Sequence, residues 1–167
     1  MGNLFKKESE SKLFIRKIKQ ANTLYEFDNI DYDKPIDGIY PIFYICKYCQ
    51  PFIVKYVLES QKINLETENQ DNKMRIIHYV SKYCKFSIIK YVIDKGVNLE
   101  ATDSDGWRPI HYICEFSTPE MIKYIIDKGV NLEVETDEKW RPIHFICRYS
   151  TPEMIKYIID KEVNLEA

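Results

Sequence analysis

Three histidines and five cysteines are the side chains of this sequence best suited to binding a metal, moving a proton or attacking a carbon. His78, His111 and His144 recur at a constant step of 33 residues (111−78 and 144−111). Cys114 and Cys147 each follow a histidine by three positions, so on a helix each pair shares a face. A structural zinc site needs four ligands at about 2.0–2.3 Å from the ion. Successive packed helices lie about 8–10 Å apart, so equivalent residues of neighbouring helices cannot reach one ion and each pair stays two ligands short. The expected role of the histidine is a hydrogen bond to loop backbone. The cysteine is expected to fill a small space in the core.

Cys46 and Cys49 form a Cys-x-x-Cys. A redox pair of that kind sits at a helix start beside a strand. Here Cys46 occupies the position of Cys114, and Cys49 that of Ser117, which falls in a turn. No serine stands in a G-x-S-x-G setting and no glycine-rich loop is available for phosphate. All three histidines share one repeated structural role, which leaves no general base. The sequence therefore predicts no catalytic residue, no metal and no cofactor. Met1-Gly2-Asn3 resembles a myristoylation start, but Lys6 stands where a hydroxyl residue is expected. A single acyl chain holds a membrane only marginally.

The elements that carry these residues come in copies. "WRPIHYICEFSTPEMIKYIIDKGVNLE" (Trp107–Glu133) returns as "WRPIHFICRYSTPEMIKYIIDKEVNLE" (Trp140–Glu166). An earlier copy surrounds His78, and a weaker one, "YPIFYICKYCQPFIVKYVLESQKINLE", has short insertions near Lys62 and Gln70. Fixed spacing of this size means stacked units that bury their faces against neighbours. Each unit reads as helix–turn–helix. Pro109 opens a first helix, where no backbone N–H is needed, and Ile110, Ile113 and Cys114 make its apolar stripe. In "STPE", Ser117 or Thr118 caps the second helix, and Glu120 is placed to complete a capping box with Ser117. Met121, Ile122, Ile125 and Ile126 form the second stripe, and Gly129 ends the helix in a left-handed conformation. A polar, turn-rich link such as "VNLEVETDEK" suits a hairpin-like loop.

With the Asp105-Gly106 turn, the Pro109-Ile110-His111 opening and the Gly129-Val130-Asn131 close, these units resemble ankyrin repeats. The resemblance spans residues 36–167 in four units, 36–69, 70–102, 103–135 and 136–167. It implies an all-α ankyrin-repeat solenoid of helix–turn–helix units with hairpin-like loops. Several positions depart from the pattern. Tyr40, Arg75, Arg108 and Arg141 stand where a threonine is usual, which removes the hydroxyl that would bond the histidine. Phe43 replaces the first histidine, and Glu162 replaces the last helix-ending glycine. Residues 1–35, with Leu13, Phe14, Ile18 and Leu24 at helical spacing, are expected to form a helical cap or degenerate repeat.

The resemblance also implies a function. In ankyrin arrays, loop tips and first-helix positions line a concave surface that grips another protein. Carried over, that surface comprises Met74, Lys82 and Tyr83 in unit two, Trp107, Glu115 and Phe116 in unit three, and Trp140, Arg148 and Tyr149 in unit four, with Ile39, Lys47 and Tyr48 offered by unit one. An aromatic row (Tyr48, Tyr83, Phe116, Tyr149) runs beside a charged row (Lys47, Lys82, Glu115, Arg148). Aromatic residues and arginine often dominate binding energy, at about 2 kcal/mol or more each. Two further rows, Tyr44/Tyr79/Tyr112/Phe145 and Tyr56/Tyr91/Tyr124/Tyr157, are expected to pack between units with their hydroxyls in water, and packing of the same kind is the alternative role for the Tyr48 row. Trp107 and Trp140 are expected to bind partner, so that truncating them leaves stability nearly unchanged.

Bulk composition agrees with a folded interaction module. The 167 residues are 45% hydrophobic and 30% charged, and 24 basic against 26 acidic side chains give a net charge of −2. That balance supplies no global argument for nucleic acid or for an anionic membrane. No apolar run approaches the roughly 20 residues of a spanning helix. Lys6, Lys7, Glu8 and Glu10 interrupt any signal peptide. An intracellular protein is expected, cytoplasmic in the first instance with the nucleus left open. The alternative function is a membrane-proximal scaffold using the basic N-terminal helix (Lys12, Arg16, Lys17, Lys19). Met154, Ile155, Ile158 and Ile159 stay apolar in the last unit, which predicts either a longer array or self-association there.

Overall fold

The computed structural model describes residues 8–21 and 23–161. Expectations at Gly2 and Glu162 lie outside the described residues. The chain divides into two compact units, Met1–Ile63 and Asn64–Ala167. Among the described residues there are ten helices and no strands, which makes the fold all-α as expected.

In the first unit, α1 (Glu10–Gln20) is capped by Ser9 and packs on α3 (Pro41–Tyr48). Phe14 meets Tyr44 edge-on at 5.8 Å, and Ile18 is buried. Leu13, expected on the buried stripe, is 53% exposed. The contact face is turned toward Phe14, Ile15 and Ile18 instead, and Leu13 joins Lys12, Arg16 and Lys17 on the opposite side. A single turn, α2 (Tyr25–Asp28), buries Phe27, while Asp28 accepts from the Tyr56 hydroxyl (2.7 Å) of α4 (Pro51–Ser60).

The second unit is three helix pairs. They are α5 (Ile76–Tyr83) with α6 (Phe86–Asp94), α7 (Pro109–Phe116) with α8 (Pro119–Asp127), and α9 (Pro142–Tyr149) with α10 (Pro152–Asp160). The first helices pack side by side, α5 on α7 and α7 on α9. Their apolar stripes, entered through Pro109 in α7 and Pro142 in α9 but through Ile76 in α5, produce a core of Ile76, Ile77, Ile110, Ile113 and Ile146, floored by Ile88, Ile89, Met121, Ile122 and Met154 of the second helices. Thr118, not Ser117, caps α8: its hydroxyl accepts from the Met121 N–H (3.4 Å), while Ser117 ends α7.

Each loop closes on itself and then on its neighbour. The N–H groups of Asn69, Asp103 and Thr136 donate to the carbonyls of Met74, Trp107 and Trp140 at 2.8, 2.9 and 2.9 Å. The Ser104 N–H donates to Asn72, and the Asp137 N–H to Asp105, stitching consecutive loops together. The turn residue has positive φ in all three loops: Lys73 (55°), Gly106 (74°) and Lys139 (68°). Only the glycine is free of side-chain strain there.

Candidate protein-interaction face

The repeated histidine organises the face from beneath. Both rings of this kind in repeats two and three are buried. The Arg75, Arg108 and Arg141 backbone N–H groups donate to Nδ1 of His78, His111 and His144 at 2.9, 2.9 and 2.8 Å. With Nδ1 accepting, Nε2 carries the proton. It donates to the Ala101 carbonyl from His78 (3.0 Å) and to the Val134 carbonyl from His111 (3.1 Å). The position 33 residues beyond Val134 lies outside the described residues. The His78 and His111 rings thus each tie a helix start to the loop that leads into the next repeat. Backbone N–H replaces the threonine hydroxyl that the sequence lacks.

Burial holds His111 down to about 4 and moves His78 in the same direction. Both nitrogens of each ring are already bonded, so neither is free for a metal or a substrate proton. Burial likewise pushes the Cys114 thiol up, far from a thiolate.

Above this layer lies the second aromatic row. Its members are buried, and its hydroxyls meet protein rather than water. The Asn69 side-chain amide donates to the Tyr79 hydroxyl (2.8 Å), and Tyr112 donates to the Asp103 carboxylate (2.6 Å). Phe145 lacks the hydroxyl, and the residue matching Asp103 is Thr136. Two of the differences between the third and fourth units are therefore one coupled change: donor and charged acceptor disappear together.

Six of the nine second-unit residues expected on the partner face line up on the ends of α5, α7 and α9, three as exposed aromatics and three as charged side chains. Tyr83, Phe116 and Tyr149 close the three helices and are 41%, 49% and 51% exposed. Lys82, Glu115 and Arg148 immediately precede them. The Lys82 ammonium lies 5.3–5.7 Å from the ring centres of Tyr83, Tyr112 and Phe116. Arg148 sits 5.2 Å from the Tyr149 ring and 5.9 Å from Trp140. Partial burial raises the Glu115 carboxyl above its ordinary range, and Lys82 and Arg148 pull it back. Glu115 therefore feels a positive charge from the repeat on either side.

The other three expected residues behave differently. Met74 is 6% exposed, with its sulfur facing the Tyr112 hydroxyl, so it is a core residue and offers a partner almost nothing. The loop turns its side chain inward because the neighbouring residue, Lys73, holds the left-handed position of the turn. Trp107 is half-buried, its ring 4.9 Å from Tyr112 and 4.9 Å from Phe145 of the next repeat. It is a bridge between repeats before it is a binding surface. Trp140 is also half-buried but touches only His144 and Phe145 of its own repeat among the ring contacts (5.6 and 5.2 Å).

Sequence reasoning missed two ladders. Arg75 pairs with Glu66 (2.6 Å) and Glu68 (2.9 Å), Arg108 with Glu100, and Arg141 with Glu133 (3.4 Å) and Glu135 (3.3 Å). Such exposed pairs contribute about 0–1 kcal/mol each, so they orient loops more than they stabilise. On the second helices, the Tyr124 hydroxyl donates to Asp94 and the Tyr157 hydroxyl to Asp127 (2.7 Å), with Lys128 and Lys161 beside them. These hydroxyls, expected in water, reach an aspartate of the preceding repeat. The constant spacing of Asp94 and Asp127 with Tyr124 and Tyr157 was the available signal.

Beside Phe116 a groove of about 430 Å³ opens, lined by Cys84, Lys85, Phe86, Phe116, Ser117, Thr118 and Met121. No helix among the described residues is long and apolar enough to cross a membrane.

No curated protein matches this chain. The family described as ankyrin repeats, in three copies, matches residues 77–167, which is 91 of 167 positions and more than half of the sequence. Stacked helix pairs, loop-to-loop backbone bonds and histidine-anchored helix starts accompany that match, and the chain belongs to the ankyrin-repeat family, whose repeats are generally protein–protein interaction modules.

Proposed function

We propose that the second unit binds another protein, without catalysis, through the row formed by Lys82, Tyr83, Glu115, Phe116, Arg148 and Tyr149, with Trp140 at its edge. The observation that carries this reading is the register of three broadly exposed aromatics on successive helix ends. Large rings left in water at the same place in every repeat have a use that a single stray ring does not need. Their removal is also separable from folding, because the core rows lie beneath them.

The test compares affinity capture from source-cell extract by the wild type and by Tyr83→Ala/Phe116→Ala/Tyr149→Ala. A specific partner retained by the first and lost by the second, with the melting temperature nearly unchanged, supports the reading. An unchanged set of captured proteins sinks it.

A second reading concerns the first unit. Leu13 projects among Lys12, Arg16 and Lys17 on the exposed side of α1, the arrangement of a helix that rests on anionic lipid. Sedimentation with phosphatidylserine vesicles, abolished by Leu13→Asp/Arg16→Glu/Lys17→Glu, is the expected result on that reading. Equal sedimentation of both proteins refutes it. The apolar Ile159 of α10 is 49% exposed, and we keep self-association through it as a proposal checked by light scattering. A monomer at all concentrations counts against it.

A further inference from the structure

Resting on the reading of the α5–α7–α9 row as a protein-binding face, we infer that its occupant is a polyproline-II segment bearing an acid, a base and an acid at every third residue. The face presents charges in strict alternation: Lys82, Glu115 and Arg148 occupy the penultimate position of α5, α7 and α9. Among the described residues none of the three closes a salt bridge, and the interaction felt at Glu115 comes from Lys82 and Arg148 on either side. A peptide of one sign meets at least one like charge along this row. A peptide alternating in the opposite sense meets none.

Spacing selects the peptide conformation. Packed helices stand about 8–10 Å apart, which sets the interval between charges. A β-strand returns a side chain to the same face every second residue, about 6.6 Å, and falls out of step. An α-helix returns after seven residues, about 10.5 Å, and its face rotates by about 20° each time. Polyproline II returns after three residues, about 9.3 Å, without rotation. Its pyrrolidine rings also offer compact apolar faces to the exposed rings of Tyr83, Phe116 and Tyr149, as in other aromatic-lined grooves that take such segments. The groove between Phe86 and Phe116 gives room for an apolar side chain next to the central base.

The test uses the full chain and fluorescence anisotropy with two labelled nonapeptides, Glu-Pro-Pro-Lys-Pro-Pro-Glu-Pro-Pro and its charge-reversed form. A third probe is a helical peptide with acid, base and acid at seven-residue intervals. The first peptide is expected to bind at least tenfold more tightly than the other two. The preference between the nonapeptides is expected to invert in Lys82→Glu/Glu115→Lys/Arg148→Glu and to shrink with added salt. Equal binding of the two nonapeptides, or tighter binding of the helical probe, overturns the inference. If no probe binds while the triple alanine variant still loses its cellular partner, the inference fails and the binding face stands. If that partner survives the triple variant, the face itself is wrong.

Discussion

Tyr112→Phe should weaken the second unit by about 1.5–3 kcal/mol, although the next repeat carries phenylalanine at the same place. The difference lies in the acceptor. Tyr112 donates to Oδ2 of the buried Asp103 at 2.6 Å, while Oδ1 of Asp103 accepts from the Asp105 and Trp107 N–H groups at 3.0 and 2.9 Å. Removing the hydroxyl strips a buried carboxylate oxygen of its partner. Asp103→Thr alone should cost about 1–3 kcal/mol, because it orphans the tyrosine hydroxyl and releases the Asp105 N–H. The double variant recreates the arrangement of Phe145 with Thr136, where the Thr136 hydroxyl accepts from the Trp140 N–H (3.1 Å) and no charge is buried. The two losses should therefore be less than additive by about 1–2 kcal/mol, well above the roughly 0.3–0.5 kcal/mol expected between independent sites. Urea unfolding followed by the fluorescence of Trp107 and Trp140 reads all four corners of the cycle. Additivity within 0.5 kcal/mol, about the error of such a cycle, refutes the coupling.

Lys73→Gly relieves a left-handed lysine (φ 55°) and should raise stability by about 1 kcal/mol, read as a higher urea midpoint. Gly106→Ala should lower it, because the new Cβ lies 2.5 Å from the Asp137 carboxylate and 2.9 Å from its backbone nitrogen at a φ of 74°. The Ser81 hydroxyl is buried without a partner at a position held by cysteine in Cys46, Cys114 and Cys147. Ser81→Cys should stabilise by about 1 kcal/mol, and a lower melting temperature contradicts this. Trp107→Ala should cost about 2–3 kcal/mol and Trp140→Ala less, since among the described residues only the former ring meets an aromatic ring of another repeat; equal losses in urea melts refute the distinction. Stability should rise with pH between about 4 and 6.5. The unfolded chain binds protons at His78 and His111 in this window and the folded chain does not, so the contribution is complete above the unfolded value and is lost as pH falls. Equal urea midpoints at pH 5 and pH 7 contradict that assignment.

The residues of the proposed partner face were legible in the sequence to an uneven degree. Tyr83, Phe116 and Tyr149 were placed by the resemblance to ankyrin repeats, and their exposure agrees, because those three helix ends face away from the core. Met74 and Trp107 did not follow. Both sit in or next to a turn, where one residue at positive φ decides which way a side chain points, and the neighbouring repeat decides what it touches. The cap at Thr118 shows the same limit on a smaller scale: two adjacent hydroxyl residues compete for one role, and only the local dihedrals choose between them.

By itself, the sequence determined the repeating helix pairs and, in the second unit, the place of the repeated histidine at each first-helix start. These rest on interactions a few residues long that each copy restates. Only the tertiary structure decided that Tyr124 and Tyr157 reach back to Asp94 and Asp127, that Trp107 spans two repeats, and that Tyr112 and Asp103 form one buried pair. Each of these contacts is set by the offset between adjacent units, or by the path of a loop. Neither quantity is written in the spacing of residues along one unit.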